Sequence, residues 1–117
     1  MIKKGHQEVE EIRAEGSHGG EGPCFVRTLM QTEFDSSLAY IREIVLPPNS
    51  SIGFHKHEGD EELYYIVSGN GVMTVDHEKQ LVCPGDAILT KSGSSHGLKN
   101  TGGNDLKFFV VCCKLRS

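Results

Sequence analysis

Residues 53–69 hold two histidines, His55 and His57, one residue apart, with Glu62 close behind them. Residues 85–100 bring a third histidine, His96. Three imidazoles and a carboxylate make a donor set for a divalent transition metal, and manganese, iron, nickel and zinc all accept such donors. Side chains alternate faces along a β-strand, so His55 and His57 point the same way. Glu62 and His96 must then arrive from neighbouring strands. The inside of a small β-barrel allows that convergence.

The elements that would position these side chains are short and numerous. Strand-like runs are expected over 24–29, 38–46, 51–57, 62–67, 72–75, 80–82, 87–90, 95–98 and 106–114. Turn residues punctuate them: Pro47-Pro48-Asn49, the Ser68-Gly69-Asn70-Gly71 hairpin, Cys83-Pro84-Gly85-Asp86 and the Asn100-to-Asn104 turn. No segment sustains a 3.6-residue apolar period. Many short strands with regular turn spacing imply an all-β sandwich or barrel. The first 22 residues are polar, charged and glycine-rich. They are expected to form an N-terminal arm, 1–22, ahead of one barrel domain, 23–117. Within the arm, 8–13 suits a short strand or a turn of helix, and 18–23 reads as loop.

Composition narrows the function classes. A chain of 117 residues can build one core without staples. The net charge of −4 and the lack of a basic, aromatic-laced stripe argue against nucleic acid. No apolar run approaches the ~20 residues of a membrane helix. The basic start, Met1-Ile-Lys-Lys-Gly-His6, has no apolar stretch behind it, so a cytoplasmic protein is expected. The four cysteines, Cys24, Cys83, Cys112 and Cys113, are read as reduced thiols that pack as small apolar residues, because adjacent strand residues face opposite ways. A thiolate metal ligand is the alternative.

Both stretches resemble the paired motifs of the cupin family. The first motif, G-x5-H-x-H-x3/4-E-x6-G, takes His55, His57, Glu62 and Gly69 into register, with Asn49 standing where the opening glycine would be. Counting back from Gly69 selects Glu62 over Glu61. The second, G-x5-P-x-G-x2-H-x3-N, takes Gly85, Gly93, His96 and Asn100, with Lys91 in place of proline. The wording around the motifs is similar to that of small single-domain cupins related to oxalate decarboxylase, and Gly19-Gly-Glu-Gly22 adds to the likeness. The resemblance implies a conical jelly-roll barrel, a divalent metal on His55, His57, Glu62 and His96, and a small carboxylate ligand or substrate. It also implies a decarboxylase or dioxygenase chemistry, with a sugar- or acid-binding sensor as the non-catalytic alternative. Decarboxylation in such relatives uses a carboxylic acid on a mobile lid, for which Glu15 and Glu21 are the candidates here. No catalytic residue is assigned.

Alternation also places Tyr64 and Ile66 on the face of Glu62, as wall residues of the barrel interior. Arg42 is an anion clamp if it faces inward and a surface charge if it faces outward. His6, His18 and His77 match no motif and are expected as solvated loop residues. Gly93-Ser-Ser95-His-Gly97 fits a nucleophile elbow as a pattern only, since no helix follows it. The Phe108-Phe109-Val110-Val111 run puts apolar residues on both faces of one strand, so a homodimer is expected.

Overall fold

The computed structural model describes residues 1–115; the last two residues of the expected 23–117 domain lie outside the described residues. Ten strands follow in chain order: β1 (Ile12–Glu15), β2 (Pro23–Met30), β3 (Leu38–Leu46), β4 (Ser51–Lys56), β5 (Asp60–Ser68), β6 (Gly71–Val75), β7 (Glu78–Val82), β8 (Ala87–Thr90), β9 (Ser95–Asn100) and β10 (Leu106–Lys114). Single 3-10 turns sit at His6–Glu8 and Ser17–Gly19. The strands form an antiparallel six-stranded sheet, β1-β2-β3-β10-β5-β8, facing a four-stranded sheet, β4-β9-β6-β7. The architecture is the all-β, single-domain barrel that the strand pattern implies.

Alternation along β5 and β10 builds much of the core. β10 buries Leu106, Phe108, Val110 and Cys112 and leaves Lys107, Phe109, Val111 and Cys113 less covered. β5 buries Glu62, Tyr64 and Ile66 in the same way. Leu46, Ile52, Met73, Val82 and Leu98 complete the interior from the other strands. Removing such apolar surface from water drives the collapse.

The arm region is more ordered than a loop reading of 18–23 suggests. β1 pairs with β2 from Ile12 opposite Val26 to Glu15 opposite Pro23. The Ser17–Gly19 turn lies against β4. One reason is the left-handed backbone at Gly16, His18, Gly19 and Gly22, which folds the segment into a tight strap instead of letting it run free.

The two motif departures have physical explanations. Asn49 has φ of 70°, a left-handed conformation that asparagine tolerates better than other residues with a side chain. Lys91 is exposed in a turn closed by the Ser94 N–H on its carbonyl, a position that proline would stiffen but that lysine also fills. Asn100 is fully buried; its amide donates to the carbonyls of Leu46 and Asn104, at 2.8 Å each, and its side-chain oxygen accepts the Gly102 N–H. The motif asparagine thus ties the β9–β10 turn to the end of β3.

Candidate metal centre

Strand register brings the four motif residues together. His55 on β4 lies opposite His96 on β9. Across the barrel, Tyr40, Cys112, Glu62 and Thr90 form one inward row over β3, β10, β5 and β8. His57 follows the last residue of β4, one step past the strand end, with its backbone held by Ser94 and Gly93. One ligand atom from each of His55, His57, Glu62 and His96 lies within 4.8 Å of the other three. Nε2 of His57 is 3.2 Å from Nε2 of His55 and 3.0 Å from that of His96. Oε1 of Glu62 is 3.0 Å from His57 Nε2 and 3.2 Å from His96 Nε2.

The outer ring nitrogens fix what these atoms can do. His55 Nδ1–H donates to the Gly53 carbonyl at 2.7 Å, and His57 Nδ1–H donates to Asp60 Oδ1 at 2.9 Å. Both partners only accept, so Nδ1 carries the proton and Nε2 of the neutral ring presents a lone pair to the centre. His96 Nδ1 is 2.7 Å from the fully buried Thr90 hydroxyl. That hydroxyl can accept or donate, so His96 can serve either as a donor to Glu62 or as a lone pair. Converging lone pairs and a carboxylate repel one another unless a cation lies among them. A divalent metal fits this set, and the outer hydrogen bonds are those that orient metal-binding histidines.

Tyr40 and Asp60 carry no motif signal. The Tyr40 hydroxyl donates to Glu62 Oε2, and Tyr40 sits opposite Cys112, which itself sits opposite Glu62. Burial and the Glu62 carboxylate hold the phenol far above its ordinary range, so it stays a donor. Burial would raise Glu62, but hydrogen bonds from His96 and Tyr40 outweigh it and the carboxyl lies below its usual value. Burial pushes the Cys112 thiol up to about 11. It is a protonated thiol at neutral pH, and it is not among the four donors. All four cysteines are free.

A cavity of about 190 Å³ opens beside two of the four donors, His57 and Glu62. His18, Tyr40, Arg42, His57, Glu62 and Tyr64 are among its lining residues. Arg42 faces inward, its guanidinium 3.7 Å above the Tyr40 ring and its Nε donating to Thr28 Oγ1 at 3.2 Å. Among the described residues that is its one side-chain hydrogen bond, so both terminal nitrogens are left for a ligand. Tyr64 is buried against His96 and Phe108, with ring centroids 4.9 and 4.8 Å away. Ile66 is fully buried in the core and does not line the cavity. Neither does Glu15 nor Glu21: both are exposed and paired, with Arg13 and Lys99 respectively. His77 is exposed at the β6–β7 tip, and His6 pairs with Glu43. His18 departs from the expected solvated loop role, because its ring stacks on His55.

The cupin domain family matches residues 42–112. The chain is a cupin. An oxalate-binding protein of Thermotoga maritima is 38% identical over 105 residues, 89% of this cupin and 87% of the relative. The crystal structure of a predicted oxalate decarboxylase from the same organism superposes with a TM-score of 0.92 at 35% identity, covering 98% of this chain and all of that one. KdgF from Halomonas sp. shares the fold alone, with a TM-score of 0.78 at 18% identity over 95% of this cupin and 93% of that chain.

Proposed function

We propose that this cupin holds a divalent transition metal on His55, His57, Glu62 and His96 and uses it to bind a short dicarboxylate, oxalate first. The carrying observation is the charge and shape of the cavity. Glu62 supplies one negative charge, so a divalent ion leaves the centre net positive, and the inward Arg42 adds a second positive group. An anion is the ligand that such a site attracts, and partial exclusion of water by Tyr64, Val110 and Ile44 strengthens that attraction. The cavity of about 190 Å³ has room for a short dicarboxylate, and the positive groups that face it favour an anion over a neutral sugar. The name of the 38%-identical relative supports the same ligand.

When bound, the metal supplies Lewis acidity and open coordination positions. The chain's own residues do the rest. Gly53, Asp60 and Thr90 orient the three rings, Tyr40 steers Glu62, and Arg42 offers its free nitrogens to the outer carboxylate of the ligand.

Binding without turnover fits this site better than decarboxylation. The carboxylic acid that a decarboxylating relative carries on a lid has no counterpart beside the cavity: among the described residues the sole carboxyl there is Glu62, one of the four metal donors. Calorimetric titration of metal-loaded protein with small acids, sugars and phenols tests the ligand class. Oxalate is expected to bind and to be recovered without release of formate. Preference for sugars or phenols would overturn the assignment, and formate production would move the protein among the enzymes.

The working unit is proposed to be a cytoplasmic homodimer, in keeping with free thiols. The outer face of the six-stranded sheet carries a row of Ile41, Val111, Leu63 and Leu89, with Phe109, Tyr65 and Ala87 beside it. Leu63, Tyr65 and Leu89 are exposed in the single chain. A contiguous apolar face of this kind is unusual on a monomer.

A further inference from the structure

The strap at 16–22 is fastened to the free edge of β4. Ser51 N–H donates to the Glu21 carbonyl at 2.8 Å, and Glu21 N–H donates to Ser51 Oγ at 2.9 Å. A side chain on Gly53 would stand 2.0 Å from the His18 carbonyl, and one on Gly20 would stand 2.2 Å from the Ser51 carbonyl. The strap therefore contacts the strand backbone to backbone, and that contact fixes where His18 goes. His18 itself adopts φ 52° and ψ 34°, a left-handed conformation that costs a residue with a Cβ. Strain of this kind persists where the surroundings enforce it, and it clusters at functional sites.

The ring of His18 lies 3.7 Å above that of His55 and within 8° of parallel. It lines the same cavity as Arg42, yet it remains exposed. His18 thus sits at the mouth, anchored by one face to a donor of the centre, with ring nitrogens available at its edge. Among the described residues no side-chain hydrogen bond engages those nitrogens.

We propose that His18 is a ligand-contact residue whose ring N–H grips the dicarboxylate at the cavity mouth, acting with Arg42 to set affinity and length preference. This rests on the functional reading above. A neutral imidazole suffices, since one ring nitrogen always carries a proton. His18 holds no metal; it completes the anion site from the strap, a part of the chain outside both motifs.

The test compares wild type with His18→Phe, which keeps the ring and loses the N–H, and His18→Gly, which removes both and relieves the backbone. Metal affinity and oxalate affinity are measured separately by calorimetry, with malonate as a longer probe. Both variants are expected to hold metal within about threefold of wild type and to bind oxalate at least about tenfold more weakly, the scale of one charge-assisted hydrogen bond. The oxalate-over-malonate preference should shrink. If His18→Phe fails to fold, loss of oxalate affinity with intact metal affinity in His18→Gly carries the inference. Unchanged oxalate binding in His18→Phe, or a loss of metal affinity that accounts for the oxalate loss in His18→Gly, would overturn it in favour of stacking alone. A wild-type protein that holds metal and binds no oxalate would overturn the functional reading, and this inference with it.

Discussion

His57 is the residue on which the centre turns. Its Nε2 lies 3.0 to 3.2 Å from three other donor atoms, and its Nδ1 is tied to Asp60. His57→Ala should therefore sharply lower metal content by elemental analysis, while His77→Ala at the exposed β6–β7 tip should leave it unchanged. Equal metal content in wild type and His57→Ala would remove His57 from the centre. Asp60→Asn keeps the size of the side chain and takes away the charge that orients the His57 ring. Metal affinity is expected to fall by about 10- to 100-fold, the usual scale for a partner of a metal-binding histidine, and a chelator-competition titration reads it. The paired motifs made the four donors legible, because spacing within two short stretches of chain is a local property. Asp60, Thr90, Tyr40 and His18 were not legible as partners. Their roles come from contacts across 3, 6, 22 and 37 residues of chain, and only Asp60 lies near its partner in sequence.

Among the elements, β4 and the strap form the working pair. Residue pattern located β3, β8 and β10 end to end, since proline, glycine and charge bound them closely. The short N-terminal strand β1 and the strap were harder to read, because glycine permits many conformations and only packing on β4 selects one. The predicted consequence is specific. Gly53→Ala puts a Cβ 2.0 Å from the His18 carbonyl, so the strap must move or β4 must distort. A destabilisation of about 1–3 kcal/mol is expected, as for other overpacked sites, and a thermal melt of metal-stripped protein measures it. An unchanged melting temperature would mean that the strap is not seated as described. Gly69 poses a second constraint of the same kind: φ is 85° and a Cβ would meet the Asp105 carbonyl at 2.3 Å. That double requirement explains why the first motif ends on glycine.

For the whole molecule, acid is the natural denaturant. Burial depresses His55 below its ordinary value of 6.5, and burial also depresses His18. Between those lowered values and 6.5 the unfolded chain binds more protons than the folded one, so stability falls as pH drops through that window. Glu62, lowered from 4.5, adds a contribution that is present above 4.5 and lost as pH falls through its folded value. Metal-stripped protein should melt at a near-constant temperature around neutrality and progressively lower below about pH 6.5. Equal melting temperatures at about pH 5 and pH 7 would contradict these shifts. Bound metal should raise the melting temperature, and that gain should fade in acid as protons compete for the imidazoles. Assembly belongs to this scale too. Light scattering at micromolar concentration should give a dimer mass, and Leu63→Lys with Tyr65→Glu on the outer sheet face should return it to a monomer with its metal content intact. A wild-type monomer would leave that apolar face unexplained.

If a metal on His55, His57, Glu62 and His96 is what lets this cupin bind a short dicarboxylate, oxalate binding must follow metal content. Calorimetric titration of oxalate into metal-loaded and metal-stripped wild type addresses that dependence most directly. Saturable binding near one oxalate per metal in the loaded protein, and none in the stripped protein, is the predicted result. Equal oxalate binding with and without metal, or no binding to the loaded protein, would contradict it.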